Sequence, residues 1–196
     1  MRRRNARPLL LPEPISIVRP PELIRTSRLV LRRPVAADAE ALFAAYASHI
    51  ETVRYLTWTP HRDVADTVAS LRQRDEEWRE GSSFPFVIAP AAAPDSPFGS
   101  IHLRPKGHAV SFGYVLGRSQ WARGYATEAL TCLVDWSLSQ PGVHRACASC
   151  DADNPASGRV MEKAGMQYEG TLRRFVVHPN MSGEPRDAMM YARFRS

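Results

Sequence analysis

The 196-residue chain is 44% hydrophobic and 23% charged, a composition that excludes a wholly disordered protein. Its length fits one domain with or without a tail, and none of its apolar runs reaches the roughly 18–20 residues that span a bilayer. The net charge of +6 is concentrated in residues 1–33, which hold nine arginines against two acids, whereas the remainder holds 17 basic and 18 acidic residues. We therefore expect no nucleic-acid-binding face on the body of the chain.

The N-terminal segment is basic and proline-rich. Its apolar stretch is short, is interrupted by Pro12 and Pro14, and precedes no small-residue cleavage site, so a signal peptide is not expected. We predict an Arg/Pro-rich extension over residues 1–22 and a single domain over 23–196. Three cysteines are typical of a reducing compartment and predict a cytoplasmic protein. The Cys147–Cys150 pair has no second pair of ligands, so we expect no metal site.

Hydrophobic periodicity predicts seven strands and four helices. The strands fall at 26–34, 84–89, 99–104, 108–116, 144–150, 167–177 and 186–195, and the helices at 36–48, 63–80, 124–140 and 155–164. Strands and helices in this order indicate an α/β or α+β domain with a mixed sheet.

A glycine-containing turn joins the fourth predicted strand to a strongly amphipathic helix. The strand ends at Leu116 and the helix starts at Gly124, in the string FGYVLGRSQWARGYATEAL. A helix start presents unpaired N–H groups and the positive end of the helix dipole, which suit a phosphate group. Gly124 lets the backbone approach such an anion, and Arg118 and Arg123 add donors. The string matches neither a P-loop nor a dinucleotide-binding motif.

A second polar segment, DADNPASGRVMEKAGMQYEG, opens the next helix. Asn154 suits the helix N-cap and Ser157 its first turn. Two alternatives stay open at this point: these side chains only cap the helix, or they also project beside the anion site.

Together and in this order, the two segments resemble the GNAT acetyltransferase superfamily. Trp121-Ala122-Arg123-Gly124-Tyr125-Ala126 occupies its acyl-CoA motif [QR]xxGx[GA], with Trp121 at the usual Gln/Arg position. The strings GYVL…WARGYATEAL, NPAS…MEKAGM and YEGTLRR, with the closing Asp187 and Tyr191, look like the RimJ/RimL branch. The resemblance covers about Leu23 to the C-terminus.

The resemblance implies a GNAT fold, with a central mixed, mostly antiparallel twisted sheet of about seven strands flanked by about four helices. It implies acetyl-CoA as co-substrate, no metal, and direct attack by a primary amine in a ternary complex. The acceptor is either a protein N-terminal α-amine or a small-molecule amine, since the branch includes enzymes for both. Related enzymes often dimerise, so a homodimer is an open alternative.

The resemblance also implies roles for individual residues. The diphosphate of CoA would lie on the amides of residues 123–127, and pantetheine would pair like an added strand with residues 114–116. A backbone N–H of Val115 or Leu116 would polarise the thioester carbonyl. The implied acetyl-CoA-binding residues are Tyr114, Val115, Leu116, Arg118, Arg123, Gly124, Tyr125, Ala126, Thr127, Asn154 and Ser157.

Two proton transfers lack the residues that the family often uses for them. Met161 stands where many members have a Tyr acid, which makes Ser157 the candidate acid, and Ser111 stands where many have a Glu base. The candidate bases, each acting through water, are Glu169 and His102, with His108 and His178 as further ones. An α-amine, with a pKa of about 7.7–8.0, is substantially neutral near pH 8, whereas lysine at about 10.4 is not. The missing base therefore favours α-amines or weakly basic small amines.

Two other function classes remain as alternatives. The missing Tyr and Glu are compatible with a catalytically silent acyl-CoA-binding sensor of the same fold. The arginine-rich extension is compatible with ribosome or RNA binding, which would depend steeply on salt.

Overall fold

The structure is a computed structural model that describes residues 19–195. Residues 1–18, which make up most of the predicted extension, and Ser196 lie outside the described residues. In the described range, no helix is both long and apolar enough to cross a membrane. Within the same range, no three His, Cys, Asp or Glu side chains gather as a metal site would require.

One mixed sheet of eight strands forms the centre of the fold, in the order β1-β2-β3-β4-β5-β6-β8-β7. The strands are β1 (Leu23–Arg25), β2 (Leu29–Arg32), β3 (Phe84–Pro90), β4 (Gly99–Lys106), β5 (Ala109–Leu116), β6 (Arg145–Asp151), β7 (Gln167–Val176) and β8 (Arg186–Phe194). Neighbouring strands are antiparallel except β5 and β6, which run parallel. The predicted mixed, mostly antiparallel sheet is confirmed, with β1 as an eighth strand that the pattern missed.

Five α-helices flank the sheet. They are α1 (Ala39–Leu42), α2 (Ile50–Val53), α3 (Val64–Glu80), α4 (Tyr125–Ser139) and α5 (Pro155–Lys163). α3 begins where the Asp63 side chain accepts a hydrogen bond from the Asp66 N–H, and it ends at Gly81 in the left-handed conformation (φ +75°). Both ends agree with the predicted helix at 63–80.

The predicted continuous helix over 36–48 is wrong in detail. A 3₁₀ turn at Ala36–Asp38 precedes α1, and a π turn at Phe43–Ala47 follows it. Asp38 fixes the first turn, because its carboxylate accepts hydrogen bonds from the Arg32 guanidinium and the Val35 N–H. At the other end, the N–H and hydroxyl of Ser48 both donate to the carbonyl of Phe43, which closes the wider π turn.

Strand register divides the sheet into two faces with different partners. Val87, Ser100 and Val115 are opposite one another on adjacent strands and share the face covered by α1 and α3, where Tyr46 Oη donates to Ser100 Oγ at 3.2 Å. Ile101 and Tyr114 belong to the other face, which contacts the buried side of α4. Large apolar side chains fill the core there, including Phe86, Ile101, Leu103, Leu130 and Leu133.

The two parallel strands diverge halfway along their length. β5 pairs with β6 only through residues 109–112 and 145–148, although β5 continues to Leu116 and β6 to Asp151. We call this opening the splay. It leaves the C-terminal halves of β5 and β6 facing each other without direct pairing.

Candidate functional site

The N-terminus of α4 lacks the side-chain cap that the other two long helices have. Asp63 caps α3 and Asn154 caps α5, whereas α4 starts at Gly124, which has no side chain to accept a hydrogen bond. Gly124 has a φ of +80°, and a side chain there would meet only the Arg28 guanidinium, 3.4 Å from the Cβ position. Glu128 N–H bonds the Gly124 carbonyl, so the N–H groups of residues 125–127 remain for an anion.

Backbone and side-chain contacts of Gly117 and Trp121 fix the loop before α4. The Gly117 N–H donates to the Phe98 carbonyl, and a Cβ on Gly117 would lie 2.6 Å from the carbonyl oxygen of Ala45. Trp121, which departs from the family motif, donates its indole N–H to the Leu116 carbonyl at 2.9 Å. Trp121 therefore closes the loop between the splay and α4.

An arginine that the sequence analysis did not select lies beside this helix start. Arg28 packs its guanidinium over the Tyr125 ring at 4.8 Å, and it donates to the Arg123 carbonyl and to Glu128. Glu128 also accepts hydrogen bonds from Thr26 and Ser27. The segment between β1 and β2 thus places a cation at the proposed anion site. No local pattern marks Arg28 as a site residue, because arginines in short connecting segments are usually solvated.

The other predicted phosphate donors, Arg118 and Arg123, are both exposed. Arg118 is 2.9 Å from Glu51, with both side chains at the surface, so the guanidinium is available to a ligand at little cost. Arg123 contributes its carbonyl to Arg28 as described above.

The register of β4 and β5 determines which backbone groups face the splay. Because Gly117 bonds to Phe98, alternation in an antiparallel pair directs the N–H and C=O of Val115 toward β4 and those of Tyr114 and Leu116 toward the splay. The Leu116 carbonyl is taken by Trp121, which leaves its N–H. Of the two predicted thioester-polarising groups, the geometry favours Leu116 over Val115.

A hydroxyl pair bridges the splay. Tyr114 Oη on β5 is 2.8 Å from Ser157 Oγ on α5 and donates to the Ser157 carbonyl at 3.1 Å. Burial raises the pKa of Tyr114, so the phenol remains protonated near neutral pH. Either hydroxyl can donate in the 2.8 Å contact, and when Tyr114 Oη donates to Ser157 Oγ the serine hydrogen is left for another acceptor. Asn154 Oδ1 accepts a hydrogen bond from the Ser157 N–H at 3.3 Å, which holds the serine at the start of α5.

A buried thiol lies next to this pair. Burial raises the pKa of Cys150 to about 11, with a hydrogen bond to Ser157 opposing the rise. At pH 7 only about one thiol in ten thousand would be ionised. Cys150 is therefore a poor nucleophile, since the thiolate is the reactive form.

A cavity of about 640 Å³ lies on the α3 side of the sheet and reaches both strands that border the splay, β5 and β6. At the splay end it is lined by β5 and β6, through Tyr114, Val115, Ser149, Cys150 and Asp151. At the far end α3 contributes Ala69, Ser70, Gln73, Arg74 and Glu77, and β4 contributes His102 and Arg104, whereas Ser100 of β4 lies opposite Val115 at the splay end. We call this space the α3–β4 cavity.

The structure separates the four candidate bases. His102 and His178 line the α3–β4 cavity. Burial, with Arg74 and Arg104 nearby, lowers the pKa of His102 well below its usual value, so His102 is neutral and only weakly basic at pH 7. His178 is buried with its Nε2 3.2 Å from Asp151 Oδ2, and Asp151 is itself bound by Arg186.

Glu169 does not lie at this site, which corrects its selection as a candidate base. It is on the outer strand β7 and is not part of the cavity wall. A hydrogen bond from Arg145 lowers its pKa. His108 lies in the β4–β5 turn, at the end of β5 away from the splay. The sequence could not exclude either residue, because the exclusion depends on which strands pair.

Comparison with known proteins agrees with this architecture. Residues 28–167, more than half of the chain, match the acetyltransferase (GNAT) domain family. YoaA, an uncharacterized N-acetyltransferase of Bacillus subtilis (strain 168), is 27% identical over 172 residues, which cover 87% of this chain and 95% of YoaA. The [ribosomal protein uS5]-alanine N-acetyltransferase of Escherichia coli (strain K12) is 26% identical over 178 residues, which cover 86% of this chain and 89% of that enzyme.

Solved structures show the same fold. The structure of Mycobacterium smegmatis RimJ in complex with CoA-disulfide superposes with a TM-score of 0.74 at 23% identity, covering 85% of this chain and 81% of that one. The splayed sheet, the uncapped start of α4 and these matches agree. The chain belongs to the GNAT acetyltransferase family, in its RimJ/RimL-like branch, and is by class an acetyl-CoA-dependent N-acetyltransferase.

Proposed function

We propose that the protein transfers the acetyl group of acetyl-CoA to a primary amine by direct attack, the acceptor being a protein N-terminal α-amine or a small-molecule amine. The observation that carries this proposal is the position of the splay between two sites. The uncapped start of α4 lies at one side of it, and the α3–β4 cavity opens into its other side. The proposal includes the cytoplasmic location that the sequence predicts.

The residues present fit acetyl-CoA in two respects. The N–H groups of residues 125–127, with Arg28, Arg118 and Arg123 nearby, suit a diphosphate. The N–H and C=O groups of Tyr114 and the N–H of Leu116, which face the splay, suit a pantetheine arm that pairs like a strand. When bound there, acetyl-CoA supplies the thioester that the amine attacks.

Each group at the splay has one proposed task. The Leu116 N–H donates to the thioester carbonyl oxygen, where negative charge develops. Ser157 donates its hydroxyl proton toward the leaving sulfur, and Tyr114 supports it by donating in turn to Ser157 Oγ across the 2.8 Å contact. Asn154 holds Ser157 in position. Cys150 stays a thiol, which supports direct attack rather than an acetylated cysteine.

The proton of the amine leaves on the cavity side. His102 faces the cavity and is neutral at pH 7, but its Nδ1 accepts a hydrogen bond from Arg104 Nη2 at 3.2 Å, so it takes up this proton, directly or through water, only when that hydrogen bond opens. Because its pKa is lowered, it assists acceptors that are already largely neutral, such as α-amines, more effectively than lysine side chains.

Thiol release separates an enzyme from a silent sensor. We expect the purified protein to release CoA from acetyl-CoA at rates of order 1 s⁻¹ or more with at least one member of a panel of peptides, polyamines and amino sugars. The measurement is continuous thiol detection together with mass spectrometry of the acetylated product. Saturable acetyl-CoA binding without thiol release across the panel would instead identify the sensor.

A further inference from the structure

α3 packs on β3, and the surfaces of α3 and β4 that face each other across the cavity are polar. On α3, Thr67, Leu71 and Trp78 are buried at spacings of four and seven residues, and Arg74 occupies the same stripe. On β4, the side chains that face α3 alternate along the strand as Ser100, His102 and Arg104. A stripe that should bury apolar surface therefore carries a guanidinium over a polar strand.

The two arginines of this cavity lack acidic partners. Among residues 19–195, neither Arg74 nor Arg104 forms an ion pair with a carboxylate, and Arg104 Nη2 donates a hydrogen bond to His102 Nδ1 at 3.2 Å. In contrast, Arg79 pairs with Asp75 on the same helix, and Arg62 pairs with Asp66 at its start. Of the three arginines of α3, only Arg79 pairs with a carboxylate among the described residues, and Arg74 is the one that lines the cavity.

The nearby acids do not neutralise the pair. Glu77 is in the cavity wall, but one carboxylate is set against two guanidinium groups, and its buried Oε2 has no hydrogen-bond partner among the described residues. Asp151, at the splay end, is already bound by Arg186 and by the Asp153 N–H. The far end of the cavity therefore carries a net charge of about +1.

Burial is the main cause of the lowered pKa values in the cavity, and the guanidinium groups add to it. Arg104 is exposed, so solvent weakens the lowering of its pKa by Arg74, which Glu77 also opposes. Burial, followed by Arg74 and Arg104, lowers the pKa of His102. Bringing an anion between these groups would remove the repulsion.

From this geometry we propose that Arg74 and Arg104 bind an anionic group, a carboxylate or a phosphate, on the acceptor amine. This inference rests on the proposed function and narrows its acceptor class to amines that carry such a group. The amine lies at the splay, beside Tyr114 and Cys150, and the anionic group lies at the α3 end of the same cavity. Guanidinium groups bind the oxygens of carboxylates and of phosphates through charge-assisted hydrogen bonds.

Three dipeptide amides test the proposal, because they share one α-amine and differ in one group: alanyl-asparaginyl amide, alanyl-aspartyl amide and alanyl-phosphoseryl amide. Calorimetry in the presence of CoA measures their affinities, and thiol release with acetyl-CoA measures turnover. We expect at least one anionic probe to bind about tenfold or more tightly than the neutral one. The stronger of the two identifies the anion as carboxylate or phosphate.

Two variants test whether the preference for an anionic over the neutral probe depends on Arg74 and Arg104. We expect Arg74→Gln and Arg104→Gln each to remove most of the preference for the anionic probe. Each variant should raise the KM for the anionic acceptor with little change in the KM for acetyl-CoA. Arg72→Gln is the matched control, since Arg72 is an exposed residue of α3 outside the cavity. Equal affinity or no binding for all three probes, or a preference that survives in both variants, would overturn the inference.

The same experiment distinguishes failure of this inference from failure of the proposed function. If acetyl transfer proceeds and the neutral probe performs as well as the anionic ones, only the anion subsite is wrong. If acetyl-CoA does not bind, or no amine releases CoA, the proposed function is wrong. Calorimetry still reports the anion preference in that case, because it needs no turnover.

Discussion

Gly124→Glu is expected to reduce the affinity for acetyl-CoA more than any other single change. The new carboxylate would stand at the helix start where the diphosphate is proposed to bind. At about 4–5 Å, repulsion between like charges near a protein surface costs roughly 2–4 kcal/mol, which corresponds to about a 30- to 1,000-fold loss of affinity. Isothermal titration with acetyl-CoA measures this loss directly.

The matched control is Gly124→Gln, which has nearly the same size and the same backbone penalty at φ +80° but no charge. We expect Gln to weaken binding by only about tenfold and Glu to weaken it considerably more, with a difference that shrinks at high salt. Equal losses for Glu and Gln would show that sterics alone act at this position. Wild-type affinity in the Glu variant would contradict the assigned diphosphate site.

Ser157→Ala is expected to produce the second large effect, this time on turnover. Removal of the hydroxyl takes away the proposed proton donor to the leaving sulfur, and we expect kcat to fall about 10- to 100-fold. The affinity for acetyl-CoA should change by less than about threefold, because the helix start at Gly124 is untouched. Steady-state kinetics measures the change in kcat, and calorimetry on the same preparation measures the change in affinity for acetyl-CoA.

Tyr114→Phe tests the partner of that hydroxyl. It removes the phenol that is 2.8 Å from Ser157 Oγ, and we expect about a tenfold loss of kcat, with little further loss when it is combined with Ser157→Ala. Tyr168→Phe is the control, since Tyr168 Oη bonds Thr171 on the exposed strand β7. Full turnover in Ser157→Ala would mean that the thiolate leaves without help from this pair.

Hydrophobic periodicity, together with capping residues and glycines at the ends of helices, is sufficient to predict the elements that position the site. α4 was predictable because Ala129, Leu130, Leu133 and Val134 repeat at helical spacing after a glycine. α3 was predictable from its Asp63 cap and the Gly81 stop. β1 was missed because three residues carry too little alternation. The segment over 36–48 was predicted as one helix because its Ala-rich pattern does not report that Ser48 closes a π turn.

The candidate site was predictable only where its residues are close together in sequence. The motif around Gly124 and the Asn154–Ser157 pair are short strings, and the structure places both beside the splay. Tyr114 was expected only as backbone, since its hydrogen bond to Ser157 joins residues 43 positions apart. Arg28, Arg74 and Arg104 lie at the site through tertiary contacts that no local pattern encodes. Glu169 was selected for its chemistry and excluded by the strand order.

A crystal structure with bound acetyl-CoA tests the central claim most directly. The account predicts diphosphate oxygens about 2.7–3.2 Å from the backbone nitrogens of residues 125–127, with the acetyl group in the splay beside Leu116 and Ser157. A diphosphate bound elsewhere, or a helix start with no ligand at saturating acetyl-CoA, would contradict it.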